Sequence, residues 1–184
     1  MKYDYKIKKE EHLFEKDFKL KWLGEGEWIE EADKIDFEYA GYEAEVRRSL
    51  IQEPYTLKEM WFGGHLCGYV VIPQNHFLYM RPYKDFSIDC HFWGLTYEDF
   101  AEGEPHRIGF DCGHMNDIVP TLEIRMFANK KLYGTFLSEF EDSNLLKKTY
   151  KNVKFVIDNC CHIIDQLTNI NFEKMVELSS SYEK

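Results

Sequence analysis

The sequence predicts an α+β fold, an antiparallel sheet with a C-terminal helix packed on one face. Two observations carry this. Segments with period-two alternation occupy the first two-thirds of the chain: Ile35, Phe37 and Tyr39, then Tyr42, Ala44 and Val46, and later Ile108, Phe110 and Cys112. The period then changes, and Val153, Val156, Ile157, Cys160, Ile164 and Leu167 recur at helical spacing.

Taken in order, Tyr3, Tyr5 and Ile7 alternate with polar residues and predict a half-exposed strand, whereas Lys8 to Lys21 has a mixed pattern and no assigned element. Ala40-Gly41 interrupts the next alternation, so Ile35–Val46 is either a hairpin or one long strand with a bulge at Gly41. A short helical turn is expected over Tyr55 to Phe62, leading into Gly63-Gly64, and Leu66 to Ile72 forms a buried-type strand ended by Pro73. Phe77 to Tyr83 is loop-like, because Pro82 bars a central strand. Ser87–Phe92 and Arg107–Cys112 are expected as strands, and the final helix starts at Thr149 or Asn152 as caps. A shorter helix is expected over Asn171 to Leu178, then a polar tail over 179–184. No repeat or linker divides the chain, so residues 1–184 are expected to form one domain.

Composition excludes several classes. The 44% hydrophobic content, within 184 residues, is enough for a core and rules out wholesale disorder. A net charge of -10 repels nucleic-acid phosphates, so direct nucleic-acid binding is not expected. An acidic protein can instead block a host nucleic-acid-binding protein by occupying its groove. No apolar run reaches the ~18 residues of a membrane span, and the first residues lack the apolar core of a signal peptide. A cytoplasmic location is therefore expected. The five cysteines are an odd number at irregular spacing, which predicts reduced thiols.

Chemistry-bearing residues concentrate between Gly64 and Asp117. Alternation places Cys90 and Cys112 toward the core and Asp89, His91 and Asp111 on the opposite, polar side. A hairpin between Ser87–Tyr97 and Arg107–Cys112 would gather those three. His114 and Asp117 follow the strand end, and His65 precedes another strand among glycines. His65, His91, Asp111, His114 and Asp117 together predict a polar pocket, with Asp117 holding the loop after Cys112. Trp93 and Tyr97 offer aromatic surface for a flat ligand. A histidine beside Asp111 should gain proton affinity, and anion binding should then strengthen as pH falls. If a metal is bound, His65, His91, Asp111 and His114 are the expected donors for zinc or another divalent ion. The alternative chemistry uses Cys67 or Cys112 as nucleophile with a histidine base. Arg81 or Arg107 is suited to a phosphate or carboxylate near the site.

Three strings carry a resemblance: Gly64-His65-Leu66-Cys67-Gly68-Tyr69-Val70, Asp89-Cys90-His91-Phe92-Trp93-Gly94-Leu95-Thr96-Tyr97 and Ile108-Gly109-Phe110-Asp111-Cys112-Gly113-His114. Their order resembles an uncharacterised family of bacteriophage and prophage proteins, whose members read Gly-His-x-Cys-Gly-Tyr-Val, His-Gly-Gly-Leu-Thr and Gly-Phe-Asp-Cys-Ala-His-x-Gly-Asp. The resemblance covers residues 42–167. This chain departs at Phe92-Trp93, which puts bulk beside His91, and at Asn116, where a glycine is usual. The resemblance implies a phage or prophage accessory gene acting in the host cytoplasm, and transfers no activity or catalytic residue. The expected function is a counter-defence-type protein that sequesters a small, nucleotide-derived ligand. The alternatives are a metal-assisted or Cys-His hydrolase at the same residues and the acidic blocker of a host protein. A homo-oligomer is compatible with all three.

Overall fold

The computed structural model describes residues 2–52, 60–85, 87–90, 94–99, 105–125 and 148–181. Six strands form one antiparallel sheet: β1 (Lys6–Glu11), β2 (Lys34–Tyr39), β3 (Tyr42–Gln52), β4 (Trp61–Val71), β5 (Tyr97–Asp99) and β6 (Arg107–Asp111). Their order across the sheet is β1-β2-β3-β4-β6-β5. Helix α1 (Lys16–Leu23) follows β1, residues 120–125 form α2, and the long α3 (Val153–Ser181) closes the described chain. This is the predicted α+β architecture, with α3 lying over β4 and β3.

Local chemistry explains the elements. Ala40 and Gly41, at φ 48° and 81°, make a two-residue turn between β2 and β3, so this stretch is the hairpin and not the bulged single strand. The Asn152 side chain accepts the Phe155 N–H at 3.0 Å and caps α3. The apolar stripe of α3, Val156, Ile157, Cys160, Ile163, Ile164 and Leu167, is almost fully buried. At ~1.5–3 kcal/mol per large aliphatic side chain, that stripe is a main source of stability. It packs onto Ile35, Phe37, Val46, Leu66, Val70, Ile108 and Phe110 from the sheet. The helix approaches β4 closely at Gly68, where an added Cβ would sit 2.8 Å from Cys160 Sγ and 2.6 Å from Phe110.

Several sequence expectations are corrected. The first strand begins at Lys6, and Tyr3 and Tyr5 before it pack edge-on against Tyr39 and Phe37. The mixed stretch from Lys8 divides into the end of β1 and α1. The expected helical turn over 55–62 falls mostly outside the described residues, and Trp61-Phe62 are already strand. Residues 171–178 continue α3 as one helix to Ser181, so the first three residues of the expected polar tail are helical. Residues 87–90 are not a strand: both backbone polar groups of Asp89 bond the Gln166 side chain of α3, at 2.7 and 2.6 Å. The partner of β6 is Tyr97–Asp99 instead. The helix offered residues 87–90 hydrogen bonds that alternation could not reveal.

Beneath one end of the sheet lies a buried polar network. Arg48 and Lys19 share Asp33 Oδ1 at 2.7 and 2.8 Å, and all three side chains are essentially inaccessible. Arg48 also donates to the Gly64 carbonyl (2.8 Å) and to the Tyr150 hydroxyl (3.0 Å), and lies 3.3 Å from Glu31. Glu31 accepts from the Tyr150 hydroxyl at 2.5 Å and from the Val153 N–H at the start of α3. Burial, with Glu31 alongside, raises the Tyr150 phenol far above its usual range and keeps it a donor. Two cations and two carboxylates thus balance, and each charge has partners, the condition under which buried ions are tolerated. Replacing Arg48 with Met leaves buried Asp33 with Lys19 and the Phe14 N–H and removes the Gly64 and Tyr150 bonds. Urea unfolding of Arg48→Met should show a loss of about 3–5 kcal/mol, well above the loss for Lys34→Met on the open sheet face.

Candidate functional site

Pairing register decides which side chains share the face that α3 leaves uncovered. Ser49 lies opposite His65, Arg47 opposite Cys67, and Glu45 opposite Tyr69. Cys67 in turn faces Asp111, Tyr69 faces Gly109, and Val71 faces Arg107. Tyr97 completes the Gly109 row and Asp99 the Arg107 row. Directly opposed residues point to the same side of a sheet, so His65, Cys67, Tyr69, Arg107, Asp111 and Tyr97 share one outer surface. The core residues Leu66, Val70, Ile108 and Phe110 occupy the other.

His65 reaches this face because of the glycines before it. Gly63 and Gly64 have φ values of 101° and 90°, which side-chain-bearing residues rarely adopt, and a Cβ at Gly63 would lie 2.3 Å from the Ser49 carbonyl oxygen. The register between β3 and β4 shifts here, with Leu50 opposite Gly63. Arg48 fixes the result by donating to the Gly64 carbonyl.

At the end of β6, Asp111 Oδ1 accepts the Gly113 N–H at 2.9 Å and Oδ2 accepts the Thr96 hydroxyl at 3.0 Å. The first bond turns the chain back on itself as an Asx-type turn. His114 Nδ1 then lies 3.7 Å from both Asp111 Oδ1 and Asp117 Oδ2. Asp117 is buried, accepts the His114 N–H at 3.1 Å and lies 3.8 Å from Lys151 Nζ. It holds the loop after Cys112, as its position suggested. The His65 ring rests against Gly113: a Cβ there would be 3.1 Å from His65 Nε2 and from Asp111 Oδ1. His65, Asp111, His114 and Asp117 therefore form one cluster. Tyr97 stands next to it on the same face, paired edge-to-face with Tyr69 at 5.1 Å. Asp89 does not join, being tied by its backbone to α3. His91 and Trp93 lie outside the described residues.

The electrostatics reverse one expectation. Burial lowers the His65 pKa below its ordinary 6.5, and the pull of Asp111 and Asp117 does not make up the difference. Its Nδ1 is buried without a hydrogen-bond partner among the described residues. Partial burial works to raise the Asp111 carboxyl, but the Gly113 N–H, the Thr96 hydroxyl and the two histidines outweigh it and hold the pKa below its usual value. At neutral pH the cluster therefore presents a carboxylate beside a neutral imidazole.

The thiols behave as packing groups. All five cysteines are free and buried. Burial pushes Cys67 up to about 11 and Cys90 and Cys161 to about 12, and raises Cys112 and Cys160 well above the usual thiol range. A protonated thiol is a poor nucleophile, which argues against the Cys-His alternative. Among the described residues no group of three or more His, Cys, Asp or Glu is arranged to hold a metal ion.

Sequence reasoning missed Thr96 as a member of this surface and noted Tyr69 only among the aromatics near the polar strings. The signal for Tyr69 was present: in extended Leu66 to Ile72 it shares a side with Cys67, away from Leu66 and Val70. Two other histidines serve the fold. His76 bonds the Leu167 carbonyl and the Leu78 N–H, and His106 accepts the Met80 N–H.

The His65 shift has a measurable consequence. A group whose folded pKa is depressed below the unfolded value binds fewer protons folded than unfolded between the two. Stability therefore rises with pH through that window and falls as pH drops below about 6.5. Chemical-denaturation stability measured from pH 7 to pH 5 should fall less steeply in His65→Gln than in the wild type.

No helix among the described residues is long and apolar enough to cross a membrane. Comparison with protein-family models, with curated proteins and with solved structures gave no match to this chain.

Proposed function

We propose that this protein binds and sequesters a small, nucleotide-derived molecule on the outer face of its sheet, with Asp111 and His65 accepting hydrogen bonds from it. The observation that carries this reading is the pairing of a held carboxylate with an imidazole whose Nδ1 is buried and unbonded among the described residues. A buried polar atom without a partner costs about 1–3 kcal/mol, and the core, packed on the other side of the sheet, gains nothing from it. A bound molecule with N–H donors would supply the missing bond once the His65 ring turns its Nδ1 outward, while the half-exposed Asp111 carboxylate and the Tyr97 ring, 39% exposed, are accessible beside it as they stand. The likeness of the Gly64–Val70, Asp89–Tyr97 and Ile108–His114 strings to phage and prophage proteins gives such binding a setting: an accessory, counter-defence-type role in the host cytoplasm. The Cys-His form of the hydrolase reading is weaker because burial keeps the Cys67 and Cys112 thiols protonated.

Asp111→Asn tests the reading. Asn retains an acceptor for the Gly113 N–H and presents its amide to the Thr96 hydroxyl, so the turn survives while the charge is lost. The full-length protein would be incubated with small-molecule extract from phage-infected bacteria, and retained molecules quantified by mass spectrometry. A molecule held by the wild type should bind Asp111→Asn at least about tenfold more weakly, about 1.4 kcal/mol, at an unchanged melting temperature. Affinity should be steady at neutral pH and fall as pH drops through the His65 range, because protonation removes the Nδ1 acceptor. Equal retention by both proteins would overturn the proposal.

A further inference from the structure

On the same outer face, beyond the Tyr69–Tyr97 pair, lies a hollow of about 400 Å³ whose β2–β3 side carries the carboxylates of Asp36, Glu38, Glu43 and Glu45 with Lys8 and Lys34, and whose other side is Tyr69, Val71 and Arg107. Its size is within the range of small-molecule sites. Most charges in it are already matched. Lys8 pairs with Glu38 at 2.6 Å, and Lys34 lies between Asp36 at 3.3 Å and Glu45 at 3.8 Å. Arg107 differs: among the described residues no carboxylate lies within 4.0 Å of its guanidinium, and it makes no hydrogen bond to them. A half-buried guanidinium whose donors meet no acceptor among the described residues can serve as an anion hook, with the planar fork that suits phosphate.

Arg107, Gly109 and Asp111 alternate along β6 on this surface. Four residue steps of antiparallel strand separate the first from the last, a Cα span of about 13 Å. Gly109 between them carries no side chain, and the Tyr69 ring crosses over it, 2.7 Å from where a Cβ would stand. The surface thus runs from the Asp111 carboxylate beside His65, past the rings of Tyr97 and Tyr69, to Arg107, a cation with no carboxylate within 4.0 Å among the described residues. We propose that Arg107 is the phosphate subsite of the same ligand surface, and that the ligand is a nucleoside 5′-phosphate. Its base turns N–H groups toward Asp111 and His65, and its phosphate meets Arg107. This rests on the binding role proposed above for Asp111 and His65, and adds the polarity of the ligand and the group that reads its charged end.

The test is calorimetry on the full chain with the four 5′-ribonucleoside monophosphates, the four matching nucleosides and inorganic phosphate. At least one monophosphate should bind at least about tenfold more tightly than its nucleoside, the preference expected of one charge-assisted bidentate contact. Arg107→Gln should abolish that preference while leaving nucleoside affinity and melting temperature unchanged. Asp111→Asn should weaken nucleoside and monophosphate alike. If no monophosphate binds, or if Arg107→Gln keeps the preference, the phosphate subsite is wrong. If Arg107→Gln acts as expected but Asp111→Asn changes nothing, the spanning arrangement is wrong. In the first two cases an extract molecule retained through Asp111 would still uphold the binding role, so the two failures can be told apart.

Discussion

Arg48 is the side chain on which the geometry of the outer surface depends. It leaves the core-facing side of β3, where the neighbours Ala44 and Val46 are apolar, and must be neutralised without water. Asp33 does this while also holding the second cation, Lys19, and Glu31 and Tyr150 accept from further Arg48 donors. The bond from Arg48 to the Gly64 carbonyl then carries that order into the start of β4. A charge that has to be satisfied out of water is intolerant of displacement. The network therefore acts as a rigid junction between α1, β3, β4 and the first turn of α3.

The sheet divides labour between its faces. One face commits Ile35, Phe37, Val46, Leu66, Val70, Ile108 and Phe110 to the helix, with Gly68 allowing close approach. The other stays open and collects histidine, tyrosine, aspartate and arginine in adjacent rows. Because the side-chain period of a strand is two, the apolar requirement of the inner face fixes the outer set with no freedom of register. The packing of α3 thus also determines which polar residues are neighbours. The edge strand β1 is charged throughout its length except at Ile7, which discourages pairing with another sheet.

The histidines show how environment separates roles that residue type cannot. His76 and His106 are buried and bonded to backbone groups of the 76–83 region and of α3, so they tie a loop to the core. His65 is partly exposed, depressed in basicity and short of a partner at Nδ1. A histidine that fills its bonds with backbone adds stability, whereas one held neutral with an unbonded buried nitrogen leaves a hydrogen bond unmade.

The sequence alone determined much of this. Period-two alternation in Ile35–Val46 and Arg107–Cys112, and the 3.6-residue stripe from Val153 to Leu167, specify the sheet and the helix that covers it. The same alternation assigns Asp111 to the polar face and Cys112 to the core, and the Gly63-Gly64 pair marks the irregularity before His65. Tertiary structure decided what local pattern does not encode. Residues 87–90 have acceptable strand alternation, yet Gln166, 77 positions from Asp89, offers better hydrogen bonds and draws them to α3. Nothing in the local pattern marks Asp33 or Lys19 for burial; Asp33 is buried as the counter-charge of Arg48, on a later strand, and Lys19 with it. The direction of the His65 shift was equally hidden: adjacent carboxylates argue for raised basicity, and only the depth of burial, set by packing of distant segments, makes desolvation win.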